Sequence, residues 1–271
     1  MRLASIHFYP VKSTAGHEIH EAEVQPWGLA DDRRYMIVDE RGGMLTAREL
    51  PRLLACVATV DRGTLTLTGP HAAPLRVAPD GVTSAIDVRG TLIELTDCGD
   101  EAARWLSELA GRPVRLKWLD DPTRRPVDPA YGRPEDRVSL ADAYPLLLTS
   151  TASLVQLNDW IAEGALERGE EAPEPLPMHR FRPNVVVDGA GTPFAEDEWK
   201  RVRIGAVDFR VTKICDRCVL TTIDTATYTK GKEPIRTLSK HRRWDGKVWF
   251  GINLIPDGPG RIATGDAVTI L

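Results

Sequence analysis

Cysteine is scarce in this chain, at four residues in 271, too few for a framework of disulfides. That scarcity points to a reducing compartment and a cytoplasmic home. Long apolar runs are also missing. No stretch approaches the roughly 18 to 20 consecutive apolar residues that cross a bilayer, and "MRLASIHFYPVKS" has no signal-peptide core. A membrane protein is therefore not expected. Positive charge is not in excess either: the net charge is −4, which argues against general nucleic-acid binding. No second C-x-x-C accompanies Cys215 and Cys218, no HExxH spacing occurs, and no cysteine run has iron–sulfur spacing. "GPGRIATG" has the wrong spacing for a dinucleotide loop and too little chain after it for a βαβ unit.

What is present is mostly strand. The first 95 or so residues alternate and turn: Tyr35 to Val38 reads as one arm of a hairpin with a turn at Glu40 to Gly43, and "TLTLTG" and "SAIDVRGTLIELTD" alternate strictly. "GDEAARWLSELAGRP" reads as a helix with Ala102, Trp105, Leu106 and Leu109 on one face, acids in its first turn and Gly111 at its C-terminal cap. Later, "YPLLLTSTASLVQLNDWIAEG" predicts a short apolar strand and then a helix, with Ser150 or Thr151 as N-cap. "NVVVDG", "RVRIGAVDFRVTKIC", "VLTTID" and "DAVTIL" are strand-like. "EGALERGEEAPEPLP" is an acidic loop by composition. The expected fold is mainly β with peripheral helices, in two β-barrel-like domains. The division falls at an N-terminal domain of residues 1–119, a Pro/Arg-rich linker of residues 120–137 and a second domain of residues 138–271. The linker has four prolines and four arginines, so it cannot continue a helix or a central strand. Its arginines could also line a site between the domains.

Half of the cysteine lies in "CDRC", residues 215 to 218. The pair can be read as two ordinary thiols, as a redox dithiol, or as the source of one thiolate ligand. A thioredoxin-like motif sits at a strand-to-helix junction, whereas β-branched "VLTTID" follows here. Zinc would need two further ligands that the scattered histidines do not offer. A soft thiolate bound to a metal-bearing organic cofactor would be helped by the adjacent Arg217. Such a cofactor also needs anion-holding groups. Candidates are Lys12 and Ser13 in "YPVKS", Arg33 and Arg34 in "DDRRY", the Ser150–Thr151 helix start, and Arg180, Arg182 and Asn184 in "RFRPN". Each alone reads first as solvated surface, and no single one supports a site.

Taken in order, "YPVKS", "GLADDRRYMIVD" with "LTARELPRL", "LLLTSTASLVQLN", "RFRPNVVVDG", "FAEDEW" and "CDRCVLTTID" followed by "KEPIRTL" resemble the MOSC proteins along the whole chain. The branch resembled carries an N-terminal MOSC β-barrel domain and includes the amidoxime-reducing components and bacterial reductases of N-hydroxylated bases. The resemblance implies that Cys218 binds the molybdenum of a molybdopterin cofactor, while Cys215 is not a ligand. It implies that Lys12, Ser13, Arg33, Arg182, Asn184 and Arg217 hold the cofactor, with Ser150, Thr151 and Ser153 near its phosphate.

It further implies an oxidoreductase that reduces small N-hydroxylated compounds by oxygen transfer to molybdenum. With no iron–sulfur spacing in the chain, electrons are expected from separate ferredoxin-, flavodoxin- or cytochrome-type proteins. Two rivals stay open: a non-catalytic carrier of the cofactor or of sulfur, and a thiol redox protein using both cysteines. The segment "KGKEPIRTLSKHRRWDGK", with seven basic residues against two acids, is either a solvated loop or part of the site mouth or of a docking face for an acidic electron donor. Asp224 and His241 are candidate general acids without a distinguishing signal.

Overall fold

Two runs of consecutive apolar residues, Leu146–Leu147–Leu148 and Val185–Val186–Val187, mark strands covered on both faces. In the computed structural model, which describes all 271 residues, they lie parallel at the centre of a nine-stranded sheet. The helix Thr151–Glu167 makes the crossover that a parallel pair requires. Around them the sheet runs in the order Val268–Ile270, Arg201–Ile204, Val207–Asp216, Lys247–Pro256, Leu146–Ser150, Val185–Asp188, Arg2–Phe8 and His17–Ile19, with Arg243–Trp244 paired on Lys247–Pro256. The path is open. An antiparallel bridge between Arg2 and Ala267, with backbone bonds from Leu3 to Asp266 and from Val268 to Met1, ties the strand Arg2–Phe8 to the far edge without closing a barrel.

The fold is mainly β with peripheral helices, as expected. The cores, however, do not divide at residue 119. Leu3, Ile6, Val24 and Leu29 pack in one cluster with Leu146, Val185, Phe209 and Ile252. The first strand is thus a structural member of the second half, because Arg2–Phe8 pairs with Val185–Asp188 and covers the same apolar interior. A second core lies wholly between the ends of that arrangement. There Ile37, Leu53, Leu65 and Leu116 pack against Ala102, Trp105, Leu106 and Leu109 of the helix Gly99–Ala110. That helix ends at Gly111 in the left-handed conformation, its N–H donating to the Ser107 carbonyl, where a residue with a Cβ would be strained.

Residues 120–137 do more than connect. Arg125, Val127 and Asp136 are buried, and Val127 packs with Val138, Ala141, Tyr144 and Ile255. The Arg125 guanidinium donates to the carbonyls of Ser139, Ala141 and Asp142, which fixes the following loop.

Other local expectations change as well. The return arm after Tyr35–Val38 is a single bridge to Met44 rather than a strand. "VLTT" closes into a 3₁₀ turn, Val219–Thr222, that begins at Cys218. The basic segment contains a helix, Ile235–His241, anchored by the buried Leu238. No helix is long and apolar enough to cross a membrane.

Candidate functional site

Between the two cores lies a cavity of about 610 Å³, within the range of ligand sites in proteins. Its lining draws Lys12, Ser13 and Arg33 from turns beside the N-terminal strands, Arg48 from the loop after Val38, Arg125 from the connecting segment and Asp142 from the loop that follows it. Arg182, Asn184, Cys215, Arg217 and Cys218 come from the second half. No three His, Cys, Asp or Glu side chains converge there or elsewhere to form a metal cage.

The deep end is cationic and tightly braced. The Lys12 ammonium, 7% exposed, donates to the Leu140 carbonyl at 2.9 Å and pairs with Asp142. Burial pulls its pKa down to about 8, with Asp142 opposing. The Asp142 carboxyl in turn is held far below the usual carboxylate range, first by Lys12 and then, against burial, by Arg48 and Arg89. Arg33 donates to Asp32 at 2.5 Å and to the Arg182 carbonyl at 3.2 Å. Arg182 donates to the Thr14 carbonyl at 2.7 Å, touches no carboxylate, and is lowered by burial to about 10, so it stays charged at neutral pH. Both guanidiniums stack on the buried Tyr9 ring, with carbons 4.1 and 4.3 Å from its centroid.

Ser13, Arg33 and Arg182 all have positive φ (68°, 48° and 54°), a conformation that non-glycine residues adopt at a cost. Three such residues on one cavity wall mark backbone bent to aim polar groups inward.

Two thiols face this wall. Cys215 lies one residue before the end of the strand Val207–Asp216, and the Arg217 Nη1 lies 3.1 Å from its sulfur. Burial pushes the Cys215 thiol up, with Arg217 opposing. Arg217 also donates to the Phe181 carbonyl at 2.5 Å, while its Nε is buried without a protein partner. The Cys218 sulfur lies 3.8 Å from the Arg48 Nη1. Cys56 and Cys98 are buried in the other core, away from the site.

Residues 1–113 match the MOSC N-terminal beta barrel domain and residues 135–269 match the MOSC domain. The chain belongs to the MOSC-domain family. This MOSC protein is 34% identical over 291 residues to mitochondrial amidoxime-reducing component 1 of Homo sapiens, covering 99% of this chain and 82% of the human protein. Its identity to the same-named protein of Mus musculus is 36%, with the same coverage. Molybdenum cofactor sulfurase of Danio rerio is 35% identical over 271 residues, covering 93% of this chain and 31% of that much longer protein.

Not every expected residue of the MOSC site reaches the cavity. Ser150, Thr151 and Ser153 lie outside its lining, because the helix start they form already holds a carboxylate. Ser150 Oγ caps the Ser153 N–H, and both hydroxyls donate to the buried Glu196, at 3.0 and 2.7 Å. Thr151 donates to Asp188 at 2.8 Å on the far side. An internal carboxyl group occupies the helix start that was expected to face a phosphate. Asn184 does line the cavity, but its amide is committed: it donates to Asp32 at 3.1 Å and accepts from the Leu147 N–H. Arg34 turns away to the carbonyls of Leu119 and Asp120.

Asp224 closes a turn with the N–H groups of Ala226 and Thr227, and His241 stacks on Trp160, so neither lines the site. Arg125 lines the cavity, as the reading of the linker arginines allowed, whereas Arg48 and Asp142 line the site of this MOSC protein without any sequence expectation behind them. Arg48 sits inside "LTARELPRL", yet nothing local in that stretch marks an arginine that reaches across the molecule.

Proposed function

We propose that this chain binds a molybdenum cofactor in the cavity and reduces N-hydroxylated compounds there. The observation that carries the reading is the juxtaposition of Cys218 with a deep cationic wall in one cavity. The residues fit such a group. Cys218 is a soft donor, Lys12, Arg33 and Arg182 are anion-binding groups held at depth, and the Arg217 Nε is a buried donor with no partner in the chain. Cys218 would be the thiolate ligand, with Lys12, Ser13, Arg33, Arg182 and Arg217 holding the pterin and its phosphate.

When bound, the cofactor supplies two-electron chemistry that accepts the substrate oxygen. Reduction of an N–OH group consumes two electrons and two protons and releases water. The protein's own part is binding, orientation and charge balance. Arg33 and Arg182 are pre-aimed by Tyr9, Asp32 and Asn184. Arg48 and Arg217 place positive charge beside the two sulfurs. Electrons come in this reading from separate ferredoxin-, flavodoxin- or cytochrome-type proteins, and the location is cytoplasmic.

The match to a molybdenum cofactor sulfurase favours one second reading: a carrier of the cofactor or its sulfur that uses the same wall. Molybdenum and oxidised pterin per chain, measured on protein from a cofactor-competent host, test the shared premise. Reduction of an amidoxime with a chemical electron donor separates the two readings. Cys218→Ala is expected to abolish turnover and Cys215→Ala to spare most of it. Full activity in Cys218→Ala, or equal loss in both, would sink the reductase reading.

A further inference from the structure

Side-chain exposure grades the cavity from floor to mouth. Lys12 and Arg33 are 7% and 10% exposed, whereas Arg89 and Lys247 are 46% and 49% exposed. Charge at the mouth is incompletely balanced. Asp216 lies 3.4 Å from the Lys213 ammonium and 3.8 Å from the Lys247 ammonium, so one carboxylate answers two cations. On the opposite side Asp142 answers Lys12, Arg48 and Arg89 together. The lysines also stand against aromatic surface. Lys213 Nζ is 5.0 Å from the Tyr131 centroid and 5.8 Å from that of Trp249, and Lys247 Nζ is 5.7 Å from Trp249. Tyr131, 48% exposed, meets Tyr144 edge-on at 6.2 Å, and both rings line the cavity.

We infer that Lys213 and Lys247, with the Tyr131 and Tyr144 rings, form an anion subsite at the mouth, so that the preferred substrates are flat N-hydroxylated compounds carrying an acidic group. The inference rests on the reductase reading for the word substrate, but the subsite itself is a claim about binding. An acidic group on a planar ring matches both features: the rings accept its face or edge, and the ammonium groups accept its charge. A protein docking face is the weaker reading of the same lysines. Lys213 is 21% exposed and sits over two rings, where a carboxylate on a small molecule reaches it more readily than one on a protein surface.

The probes are benzamidoxime and para-carboxybenzamidoxime, which differ by one carboxylate. Calorimetric titration of the chain as purified should show the carboxylated compound binding about tenfold tighter, the scale of one charge-assisted contact near a surface. The gap should shrink with added salt. Lys213→Gln with Lys247→Gln should bring the ratio of the two affinities close to one, and turnover with a chemical donor should show the same preference in KM. Equal affinities in the unaltered chain, or a gap that survives the double substitution, overturn the subsite whatever turnover shows. A binding gap that the substitutions remove, with neither compound reduced, upholds the subsite and counts against the reductase reading. A double variant that slows reduction by an acidic protein donor yet keeps the gap makes the lysines a docking face and overturns the proposal.

Discussion

The Arg48 guanidinium lies 3.8 Å from the Cys218 sulfur, although 170 residues of chain separate them. Arg48 belongs to the module built on the Gly99–Ala110 helix core, and Cys218 to the sheet of the second half, so the contact spans the two cores. A cation at that distance adds positive charge beside the sulfur proposed as the metal ligand. Arg48 is 27% exposed and shared with Asp142 at 3.7 Å, so its effect is discounted to the low end of charge-assisted contacts. Arg48→Met is expected to lower molybdenum retained after exhaustive dialysis by about tenfold, a change of about 1.4 kcal/mol. Arg48→Lys should recover part of the loss, and the melting temperature should stay within about 2 °C because little apolar packing is removed. Metal analysis per chain checks it; full retention in Arg48→Met would remove Arg48 from the site.

Local signals in the sequence were reliable where local physics decides. The Ser150 cap, the Gly111 stop and the strand at Val185 follow from hydrogen bonding and apolar patterning within a few residues. Long-range commitments were not legible. Nothing near "TSTAS" marks Glu196 as the anion that fills that helix start, and nothing near "LTARE" marks Arg48 as a neighbour of Cys218. The β-branched run after Cys218 reads as a strand, yet it turns, because the hydroxyls of Thr221 and Thr222 donate back to the carbonyls of Cys218 and Val219. The prolines of residues 120–137 excluded a long helix or a central strand there, and the segment holds only the 3₁₀ turn Pro122–Arg124 and a bridge between Pro126 and Arg137. They did not disclose that Arg125 is buried with its donors spent on three carbonyls.

Lys12 should make anion binding and stability respond to alkaline pH in opposite directions. Burial lowers its pKa from 10.5 to about 8. Between those values the unfolded chain holds a proton that the folded chain has lost, so stability rises with pH through that window. Affinity for an anion on the Lys12 wall falls over the same range, because the ammonium charge is what holds it. A phosphomonoester with a second pKa near about 6 is already dianionic there, so its own titration does not confuse the result. Titrating phenyl phosphate into cofactor-free protein from neutral to alkaline pH should show affinity declining above about pH 8. Lys12→Met should weaken binding at neutral pH and flatten the curve. A flat curve in the unaltered chain would refute the assignment.

Tyr9 is predicted to act through its ring and not its hydroxyl. The ring is 1% exposed and carries Arg33 and Arg182, while its hydroxyl has no protein partner. Gly16 leaves the space it occupies, since a Cβ there would fall 2.1 Å from Tyr9 Cε1. Tyr9→Phe should keep phenyl phosphate affinity and stability within about 1 kcal/mol of the parent. Tyr9→Leu removes two cation–π contacts worth about 0.5–2 kcal/mol each, and should weaken phenyl phosphate binding about tenfold or more. Equal loss in both variants would shift the role to the hydroxyl.

Glu196 makes the last case, because it separates a structural anion from a ligand site. Its carboxylate is fully buried and accepts from Ser150 and Ser153. Burial raises its pKa above the ordinary 4.5, with the two serines opposing. A carboxyl whose folded pKa is raised contributes stability that is present below the unfolded value and lost as pH rises through the folded one. The stability difference between Glu196→Gln and the parent should therefore shift in favour of the variant as pH rises above 4.5. Glu196→Ala leaves two hydroxyls without their acceptor and a hole beside them, at about 2–4 kcal/mol, or roughly 5–10 °C in melting temperature. Ser150→Ala and Ser153→Ala should lower stability in the same direction while leaving molybdenum and pterin per chain unchanged. Loss of cofactor from either serine variant at a temperature where it remains folded would return the helix start to the binding site.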